Sequence, residues 1–533
     1  MSTSGEAKSH KRSWPIFRFL FSRITLLIIF VLIQIYVLWA AFEFLNRNVA
    51  YGFFIALSVL EIFYILNQQG SSLFKLSWIV PIMLFPVFGG LFYLYIRLQT
   101  KVKKMRHKLD EEYIASQSEM LQKREVNEAI READAPELNA LNGYLYGYCG
   151  FPAYDDTEAR FFAMGEDFFP VFMEELKKAK SFIFMEYFIV AKGKIWDEVL
   201  SILRKKAEEG VEIKFMYDGT NAIKNVPFRY DEQLREMGID AKVFSPMLPA
   251  LASYQNHRDH RKICVIDGVT AFTGGLNLAD EYANIDSPYG VWKDTAAMFK
   301  GPAANSFSML FLQMWNSSHS LIGRQQVRCS YEKYSYDACK AYDEGRGSED
   351  RRGFVIPYGD SPIDSENIGL SVYLSIINEA RDYVHIMTPY LILDDQTMSA
   401  LCYAAKRGVD VRILFPHIPD KPYAFWLGHT YYRELIDNGV RIFEYLPGFV
   451  HAKEFICDGR KAVIGSINLD FRSLYLHFEN AAYLYDVPAI KDMEEDFQAC
   501  LKECMEIDME ACLELPKLKM LMGSALKIFA PLF

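Results

Sequence analysis

Three apolar stretches dominate the first hundred residues of the chain. Residues 24–42 contain no charged side chain and are long enough to cross a hydrocarbon core of about 30 Å. Residues 76–96 are equally free of charge, whereas residues 49–66 are shorter and interrupted by Glu61. The pattern predicts two transmembrane helices, with 49–66 as a third span or as a buried partner of the other two.

Alternative explanations of these stretches are weaker. As core helices of a soluble domain, three long apolar segments would have to bury one another, and a cleaved signal peptide would not be followed by further spans. Basic residues flank the region on both sides, which predicts a cytoplasmic location for both flanks and conflicts with three full spans. The second flank also suits attraction to anionic headgroups. The flanking residues are Lys8, Lys11, Arg12, Arg18 and Arg23, then Arg97, Lys101, Lys103, Lys104, Arg106 and Lys108.

Beyond the apolar region, strand and helix patterns alternate, and the alternation occurs twice. An apolar strand pattern at 181–190 has its counterpart at 384–393, and each is followed by a helix and a further strand. Gly238 and Gly439 close equivalent helices, as expected for a left-handed C-terminal cap. The repeat predicts two α/β halves, each a mixed or parallel sheet flanked by helices, that face each other across one shared active site.

The predicted organisation therefore has five parts in an α/β chain. The last part is cationic and apolar, and it suits either the bilayer surface or packing against the catalytic region. The parts are a membrane anchor at 1–109, a charged helical surface connector at 110–145, the first half at 146–345, the second half at 346–505 and an amphipathic tail at 506–533.

Composition narrows the function. A chain of 533 residues, 51% of them hydrophobic, is long enough for two packed cores besides membrane segments. Its net charge of -10 argues against a nucleic-acid-binding protein, which needs surplus Lys and Arg. Nine cysteines without a CxxC pair indicate neither a disulfide framework nor a zinc site. No Asp, Glu and His cluster has metal-ligand spacing, so activity without a metal or another cofactor is predicted.

One short motif occurs twice and contains the candidate chemistry. In each copy a histidine is followed by a lysine two positions later, an aspartate seven positions later and a glycine-rich turn that ends in asparagine. The interval from histidine to asparagine is 17 residues in both copies, because 277 minus 260 and 468 minus 451 are both 17. The copies contain His260, Lys262, Asp267 and Asn277, then His451, Lys453, Asp458, Ser466 and Asn468.

These residue types suit phosphoryl chemistry. A histidine and a lysine two apart on a strand face the same side, so the imidazole can attack a phosphate while the ammonium offsets its charge. Asn277, Asn468 and Ser466 can donate hydrogen bonds to the phosphate oxygens. Asp267 and Asp458 each precede a glycine at a strand end, where a structural turn is the preferred interpretation.

Each copy also contains a later acid, Asp294 in the first and Glu479 in the second, and both are followed closely by Ala-Ala. A carboxylate that accepts the second N–H of an imidazole would fix its tautomer and orientation. We therefore include both acids among the predicted site residues, although surface salt bridges are an alternative.

The doubled HxKxxxxD with its GGxN or GSxN turn is similar to the signature of the phospholipase D superfamily. Further stretches resemble bacterial cardiolipin synthases over nearly the whole chain: residues 75–90, 260–282, 388–390, 465–479 and 526–533. The resemblance implies transfer of a phosphatidyl group from one phosphatidylglycerol to another through a phosphatidyl-histidine. The expected products of this transfer are cardiolipin and glycerol. The protein is expected to span a cell membrane more than once, with its catalytic region in the cytoplasm.

By this resemblance His260 is the nucleophile and His451 the acid and base, although the near-symmetric halves leave the reverse open. It also implies that the motif aspartates do not attack phosphate and that acids stand where Asp294 and Glu479 do. A phosphatidylserine synthase or a hydrolase would share these residues, and a non-catalytic membrane scaffold would have lost a histidine or lysine, yet none is missing.

Two residues depart from the family pattern. Asp259 stands where many members have Asn, and His477 where Asn usually precedes Phe-Glu. A carboxylate beside a histidine favours the charged imidazole, so Asp259 is expected to raise the pKa of His260.

Overall fold

A computed structural model describes residues 47–68, 70–227, 229–247, 253–318, 328–344, 351–514, 516–527 and 530–532, with isolated positions 32, 35, 36, 39 and 43. The predicted span at 24–42 lies outside these residues except for single positions. The chain forms two units. The first comprises the residues up to Val102 together with Met247–Asn256, and the second comprises Lys103–Pro246 and His257–Phe533.

Between residues 47 and 97, the described part of the first unit forms three α-helices. They are α1 (Arg47–Leu66), α2 (Ser72–Leu84) and α3 (Pro86–Arg97). The apolar stretch at 76–96 is thus two helices, because Pro86 has no N–H with which to continue α2 and instead begins α3. Within the described ranges, no helix has both the length and the apolar character that a membrane crossing requires.

Three further helices correspond to the predicted connector. They are α4 (Lys101–Ser116), α5 (Arg124–Glu132) and α6 (Pro136–Leu145). Val126 and Ile130 lie four residues apart on one face of α5 and are buried, which is how a strongly charged helix still packs. The prediction of a purely surface connector is therefore wrong, because one face of this segment packs against protein.

The first half is built on one mixed sheet. Its elements are β1 (Glu158–Phe162), α7 (Gly165–Lys178), β2 (Phe182–Tyr187), α8 (Lys194–Glu208), β3 (Glu212–Asp218), α9 (Asn221–Lys224), α10 (Tyr230–Glu236), β4 (Asp240–Phe244), β5 (Arg258–Asp259), β6 (Lys262–Ile266), β7 (Thr270–Gly274), β8 (Val291–Lys293), β9 (Ala296–Lys300), α11 (Ala304–Ser317) and α12 (Tyr336–Cys339). The strand order is β1-β9-β7-β6-β2-β3-β4, with β2, β3 and β4 parallel and the other pairs antiparallel. Every residue of β2 is buried, as expected for a strand covered on both faces.

The second half repeats this sheet. Its elements are β10 (Phe354–Asp360), α13 (Ile368–Glu379), β11 (Tyr383–Met387), α14 (Asp395–Lys406), β12 (Asp410–Pro416), α15 (Pro422–Asp437), β13 (Arg441–Tyr445), β14 (Gly448–Val450), β15 (Glu454–Cys457), β16 (Lys461–Gly465), α16 (Phe471–Tyr475), β17 (His477–Tyr485), α17 (Ala489–Leu501), β18 (Cys504–Ile507), α18 (Met509–Glu514) and α19 (Lys517–Lys527). The order β10-β17-β16-β15-β11-β12-β13 matches the first half strand for strand, and β18 is added at the edge. The duplicated α/β architecture predicted from the repeat is confirmed.

The tail also packs on protein. In α19, Gly523 meets α15 so closely that a Cβ there would lie 2.5 Å from the carbonyl oxygen of Trp426. Leu518 and Leu521 on the same helix remain exposed. The tail thus contacts the second half through a small residue and leaves apolar side chains uncovered.

Candidate active site

Each histidine motif is held by the opposite half. The short strand β5 pairs in parallel with the start of β17, and β14 pairs in parallel with β8. The backbone N–H of His260 donates to the carbonyl of Phe478 at 2.9 Å, and that of His451 donates to the carbonyl of Lys293 at 2.6 Å. Because each of these strand pairs joins one half to the other, both histidines lie in one site.

The acids that orient the histidines also cross between the halves. Nδ1 of His260 lies 2.9 Å from both carboxylate oxygens of Glu479, and Nδ1 of His451 lies 2.6 Å from Oδ2 of Asp294. Both carboxylates are fully buried. An N–H at Nδ1 that donates to a carboxylate leaves Nε2 with its lone pair, which is the atom required for nucleophilic or base chemistry.

The two motif lysines are buried beside their histidines. Nζ of Lys262 donates to the carbonyl of His260 at 2.6 Å, and Nζ of Lys453 donates to the carbonyl of His451. Burial lowers the pKa of Lys262 to about 7 and that of Lys453 to about 8, although the buried acids oppose this. A phosphate in the site would favour the charged form of both.

Burial also keeps both imidazoles neutral. It lowers the pKa of His451 to about 4, assisted by Lys453 and opposed by Asp294. It lowers the pKa of His260 well below the ordinary value, assisted by Lys262. The expectation that Asp259 raises the pKa of His260 is therefore wrong. Neighbours on an extended chain face opposite sides, and the Asp259 carboxylate is directed toward other buried groups.

The residues of the glycine-rich turns divide into two groups. Asn277 and Asn468 line the cavity beside the histidines. The amide of Asn277 is already occupied, since Oδ1 accepts from the N–H of Ile189 and Nδ2 donates to the hydroxyl of Tyr282. Among the described residues, Oδ1 of Asn468 has no hydrogen-bond partner and is free for a ligand.

Ser466 lies behind the site. Its hydroxyl donates to Oε2 of Glu479 and accepts from the N–H of Asn480. The equivalent residue of the first half is Gly275, where a Cβ would lie 1.9 Å from Oδ1 of Asp294. The structure thus places Ser466, Asp294 and Glu479 where they hold the histidines in position, rather than against a substrate.

The motif aspartates do not join the histidines. The Asp267 carboxylate accepts hydrogen bonds from the N–H groups of residues 180–182, and the Asp458 carboxylate accepts from those of residues 381–383. Both aspartates adopt positive φ, 52° and 53°, in the turn after their strand. Their carboxylates thus fix the start of β2 and of β11, which supports the structural interpretation and separates them from the catalytic group.

A cavity of about 580 Å³ gives both histidines access to a ligand. Aromatic rings surround the His451 side, where the ring of Trp292 lies 5.3 Å from that of His451 and the ring of Tyr282 lies 5.6 Å away. Phe188 packs against His260 at 4.8 Å. The polar lining residues include Asn277, Glu281, Asp420, Lys421, Asn468, Arg472 and His477. The site therefore offers an apolar wall with a few polar groups, as ligand pockets generally do.

His477 and Arg472 belong to this cavity although the motif search did not select them. Only the departure of His477 from the family pattern signalled its importance. His260, His477 and Glu479 also bring ligand atoms within 4.8 Å of one another, the described group that could hold a metal ion. Sequence spacing missed this group because its members come from both halves, and two of them already bind each other.

Comparisons with known proteins follow the same division of the chain. The sequence profile described as "Cardiolipin synthase, PLD-like domain" matches residues 172–315 and 373–501, and the one described as "Phospholipase_D-nuclease N-terminal" matches residues 54–97. A cardiolipin synthase of Geobacillus sp. (strain WCH70) is 32% identical over 92% of this chain and 97% of that protein. Cardiolipin synthase 2 of Bacillus anthracis is 35% identical over 83% of each.

Among solved structures, the fold is similar to that of phosphatidylserine synthase from Haemophilus influenzae Rd KW20. The TM-score is 0.55 at 16% identity, over 74% of this chain and 99% of that one.

Proposed function

Because the chain belongs to the cardiolipin synthase family of the phospholipase D superfamily, we propose that it is a phosphatidyltransferase that makes cardiolipin. The observation that supports this most directly is the pair of buried, neutral histidines at one cavity, each oriented by an acid from the opposite half. Such a pair supplies a nucleophile and a proton carrier for a two-step transfer.

In the first step one histidine attacks the phosphorus of phosphatidylglycerol. A P–N bond forms, the P–O bond to the headgroup breaks, and the other histidine gives a proton to the departing glycerol oxygen. For that role it must enter the step protonated, which the bound phosphate and its acid partner favour. Lys262 and Lys453 stabilise the charge on the phosphoryl oxygens. Oδ1 of Asn468, which has no partner among the described residues, accepts hydrogen bonds and therefore suits a hydroxyl of the lipid headgroup.

In the second step the proton carrier, now neutral, takes the proton from the terminal hydroxyl of another phosphatidylglycerol. That oxygen attacks phosphorus, the P–N bond breaks, and cardiolipin leaves with both histidines restored. The aromatic wall around His451 limits water, which would otherwise compete with the lipid alcohol.

A membrane anchor would hold both substrates at the interface. We propose a cell-membrane location with more than one span, formed by residues 24–42 and the stretch at 76–96, with 49–66 as a further span or buried partner, and a cytoplasmic catalytic region. In the first unit, Phe53, Leu60 and Met83 are more than 60% exposed, which suits a lipid environment rather than water.

The test is analysis of the lipids formed from phosphatidylglycerol vesicles by the purified protein and by its His260→Ala variant. Cardiolipin and free glycerol from the wild-type protein alone are expected. Phosphatidic acid in place of cardiolipin would identify a hydrolase and contradict the proposal. Product that required added divalent metal, or that was lost with chelators, would contradict metal-independent chemistry.

The nucleophile is assigned by trapping. With His260 as the nucleophile, as the family resemblance indicates, His451→Asn accumulates labelled phosphatidyl-enzyme and His260→Asn does not. Label in the His260→Asn variant alone would invert the two roles.

A further inference from the structure

The active-site cavity contains a cation and an imidazole that no described residue satisfies. Arg472, in α16, lines the cavity, and its guanidinium makes no hydrogen bond or ion pair with any residue that the structure describes. His477, at the start of β17, is buried, and neither ring nitrogen has a hydrogen-bond partner in the described ranges. The nearest carboxylate oxygen, Oε1 of Glu479, lies 3.7 Å from its Nδ1. A buried polar group left unpaired is costly, so the His477 ring points to a ligand. Arg472 is only partly buried and places its guanidinium at the same cavity.

These two residues make the cavity asymmetric. His477 stands two positions before Glu479, and Trp292 stands two positions before Asp294 in the other half. Their rings lie at nearly equal distances from the two histidines, 5.2 Å from His260 and 5.3 Å from His451.

The same comparison extends to the neighbouring position. Arg472 is four residues beyond Asn468, and Glu281 is four residues beyond Asn277. Both line the cavity, so one end has a cation and a hydrogen-bonding ring whereas the other has a carboxylate and an indole. Asp470 also lines the cavity two positions before Arg472, where its carboxylate accepts a hydrogen bond from the N–H of Ser473. An anion is therefore favoured between the guanidinium and the His477 ring rather than beside Glu281.

The proposed reaction brings two phosphates into this cavity. The first is the reacting phosphate, which the two motif lysines already bind. The second is the phosphodiester of the acceptor lipid, which stays intact while the terminal hydroxyl of that lipid reacts. Water or glycerol as the acceptor has no such group.

We propose that Arg472 and His477 form a second phosphate subsite, which binds the phosphodiester of the acceptor lipid. The proposal rests on the function proposed above and deepens it, because the subsite selects a phosphate-bearing alcohol over water. The planar guanidinium suits two phosphate oxygens at once, and a neutral imidazole adds one N–H donor. Burial and the charge of Arg472 hold the pKa of His477 well below its ordinary value, so the ring stays neutral.

The experiment compares two acceptors for one phosphatidyl-enzyme. Vesicles of phosphatidylglycerol are supplied with labelled glycerol, so that transfer to lipid gives cardiolipin and transfer to glycerol returns labelled phosphatidylglycerol. In Arg472→Gln we expect cardiolipin formation to fall about 10- to 100-fold, the loss of a charge-assisted hydrogen bond, while glycerol exchange changes less than about 3-fold. Continued exchange also shows that the variant is folded.

Further variants separate the subsite from a general charge effect. Arg441→Gln removes a guanidinium outside the cavity that is already bound to Glu506, and its ratio of the two products should equal that of the wild type. His477→Leu should lower the ratio, and His477→Asn, which keeps an N–H donor, should restore part of it.

A soluble acceptor distinguishes the phosphodiester from the whole lipid. Glycerophosphoglycerol should capture the phosphatidyl group better than glycerol does in the wild type, and this preference should disappear in Arg472→Gln. If phosphatidylglycerol were preferred to glycerol as the acceptor but glycerophosphoglycerol were not, the subsite would be overturned, because the enzyme would then recognise the acyl chains of the acceptor.

Equal loss of both reactions in Arg472→Gln would also overturn the proposal, because Arg472 would then serve the reacting phosphate. So would an unchanged ratio. Absence of cardiolipin with the wild-type protein would instead overturn the proposed function, and the subsite with it.

Discussion

The two halves share a sheet order and a catalytic task, but they differ in what lies around their histidine motifs. In the first half five buried positions are charged: Glu186, Asp218, Arg258, Asp259 and Arg261. The structurally equivalent positions of the second half are apolar: Met387, Pro416, Phe449, Val450 and Ala452. The second half shows that the fold and a histidine site can be built at these positions without charge.

The charged cluster has a cost that the apolar residues at these five positions avoid, although the second half buries Glu454 where the first half has Ile263. Burial, with Asp259 beside it, raises the pKa of Glu186 well above its ordinary value, and burial raises the pKa of Asp259 to about 6. Neither oxygen of Glu186 has a hydrogen-bond partner among the described residues. Apolar replacements of buried ion pairs are often neutral or stabilising, so the fold does not need these charges for its stability. The histidines and their acids occur in both halves, whereas the charged cluster at these five positions occurs only in the first half.

The strongest way to break the comparison is to remove one histidine at a time. His260→Ala and His451→Ala should each lower cardiolipin formation by at least about 10⁴-fold, and the double variant should be no worse, because the two act as one unit. Cardiolipin formation from phosphatidylglycerol vesicles measures this. His107→Ala, a change at an exposed histidine, is the control. Substantial turnover in either single variant would mean that one half carries the chemistry alone.

The crossed acids provide the next largest effect. Glu479→Gln and Asp294→Asn should each reduce turnover by roughly 10² to 10⁴, because an amide can stabilise the wrong imidazole tautomer. Imidazole ¹⁵N spectra test the crossing directly. Glu479→Gln should change the signals of His260 and leave those of His451, and Asp294→Asn should do the reverse. The opposite pairing of signals would contradict the hydrogen bonds of His260 to Glu479 and of His451 to Asp294.

Ser466→Gly sharpens the same test, since it copies the glycine that the first half has at position 275. It removes one hydrogen bond to Glu479 and leaves the carboxylate in place. We therefore expect a smaller loss of turnover than in Glu479→Gln.

The sequence was sufficient for the repeated features of the molecule. The strand and helix patterns are local, and the motif places histidine and lysine on one short segment, so the two halves and the residues His260, Lys262, His451 and Lys453 could be predicted. The aspartates at strand ends were also interpretable, because a carboxylate before glycine in a turn is a local signal.

Contacts between the halves were beyond the reach of local patterns. Glu479 is 219 residues from His260, and nothing in their spacing indicates that β5 and β17 pair. The same separation concealed the approach of His477 to His260. Asp259 was misinterpreted because adjacency in sequence suggested proximity of charge, whereas alternation along the backbone sends its side chain elsewhere.

The charged cluster can be tested by its pH dependence. Asp259 has a folded-state pKa above its ordinary value, so its protonated form is favoured in the fold and stability is lost as the pH rises through about 6. Asp259→Asn should therefore gain roughly 1 to 3 kcal/mol in unfolding free energy, relative to the wild type, between pH 4 and pH 7. Denaturant unfolding followed by tryptophan fluorescence measures this. Val450→Thr, at the equivalent position, should show no such gain, and parallel profiles for Asp259→Asn and the wild type would contradict the prediction.

The smallest expected effect on turnover comes from the motif aspartates, which both halves contain. Asp267→Asn and Asp458→Asn should each lower the unfolding free energy by roughly 1 to 3 kcal/mol, because each carboxylate accepts three backbone hydrogen bonds. Turnover should change less than about 3-fold, because neither carboxylate contacts a histidine.

Backbone hydrogen bonds hold the pKa of Asp458 below its ordinary value despite burial. Its contribution is therefore complete above the unfolded-state pKa near 4 and is lost as the pH falls further. Denaturant midpoints and lipid turnover on the same preparations separate stability from chemistry. If either variant lost turnover as severely as the histidine variants, the aspartate would have to act in the reaction, and the two halves would share a catalytic residue that the geometry assigns to the turn.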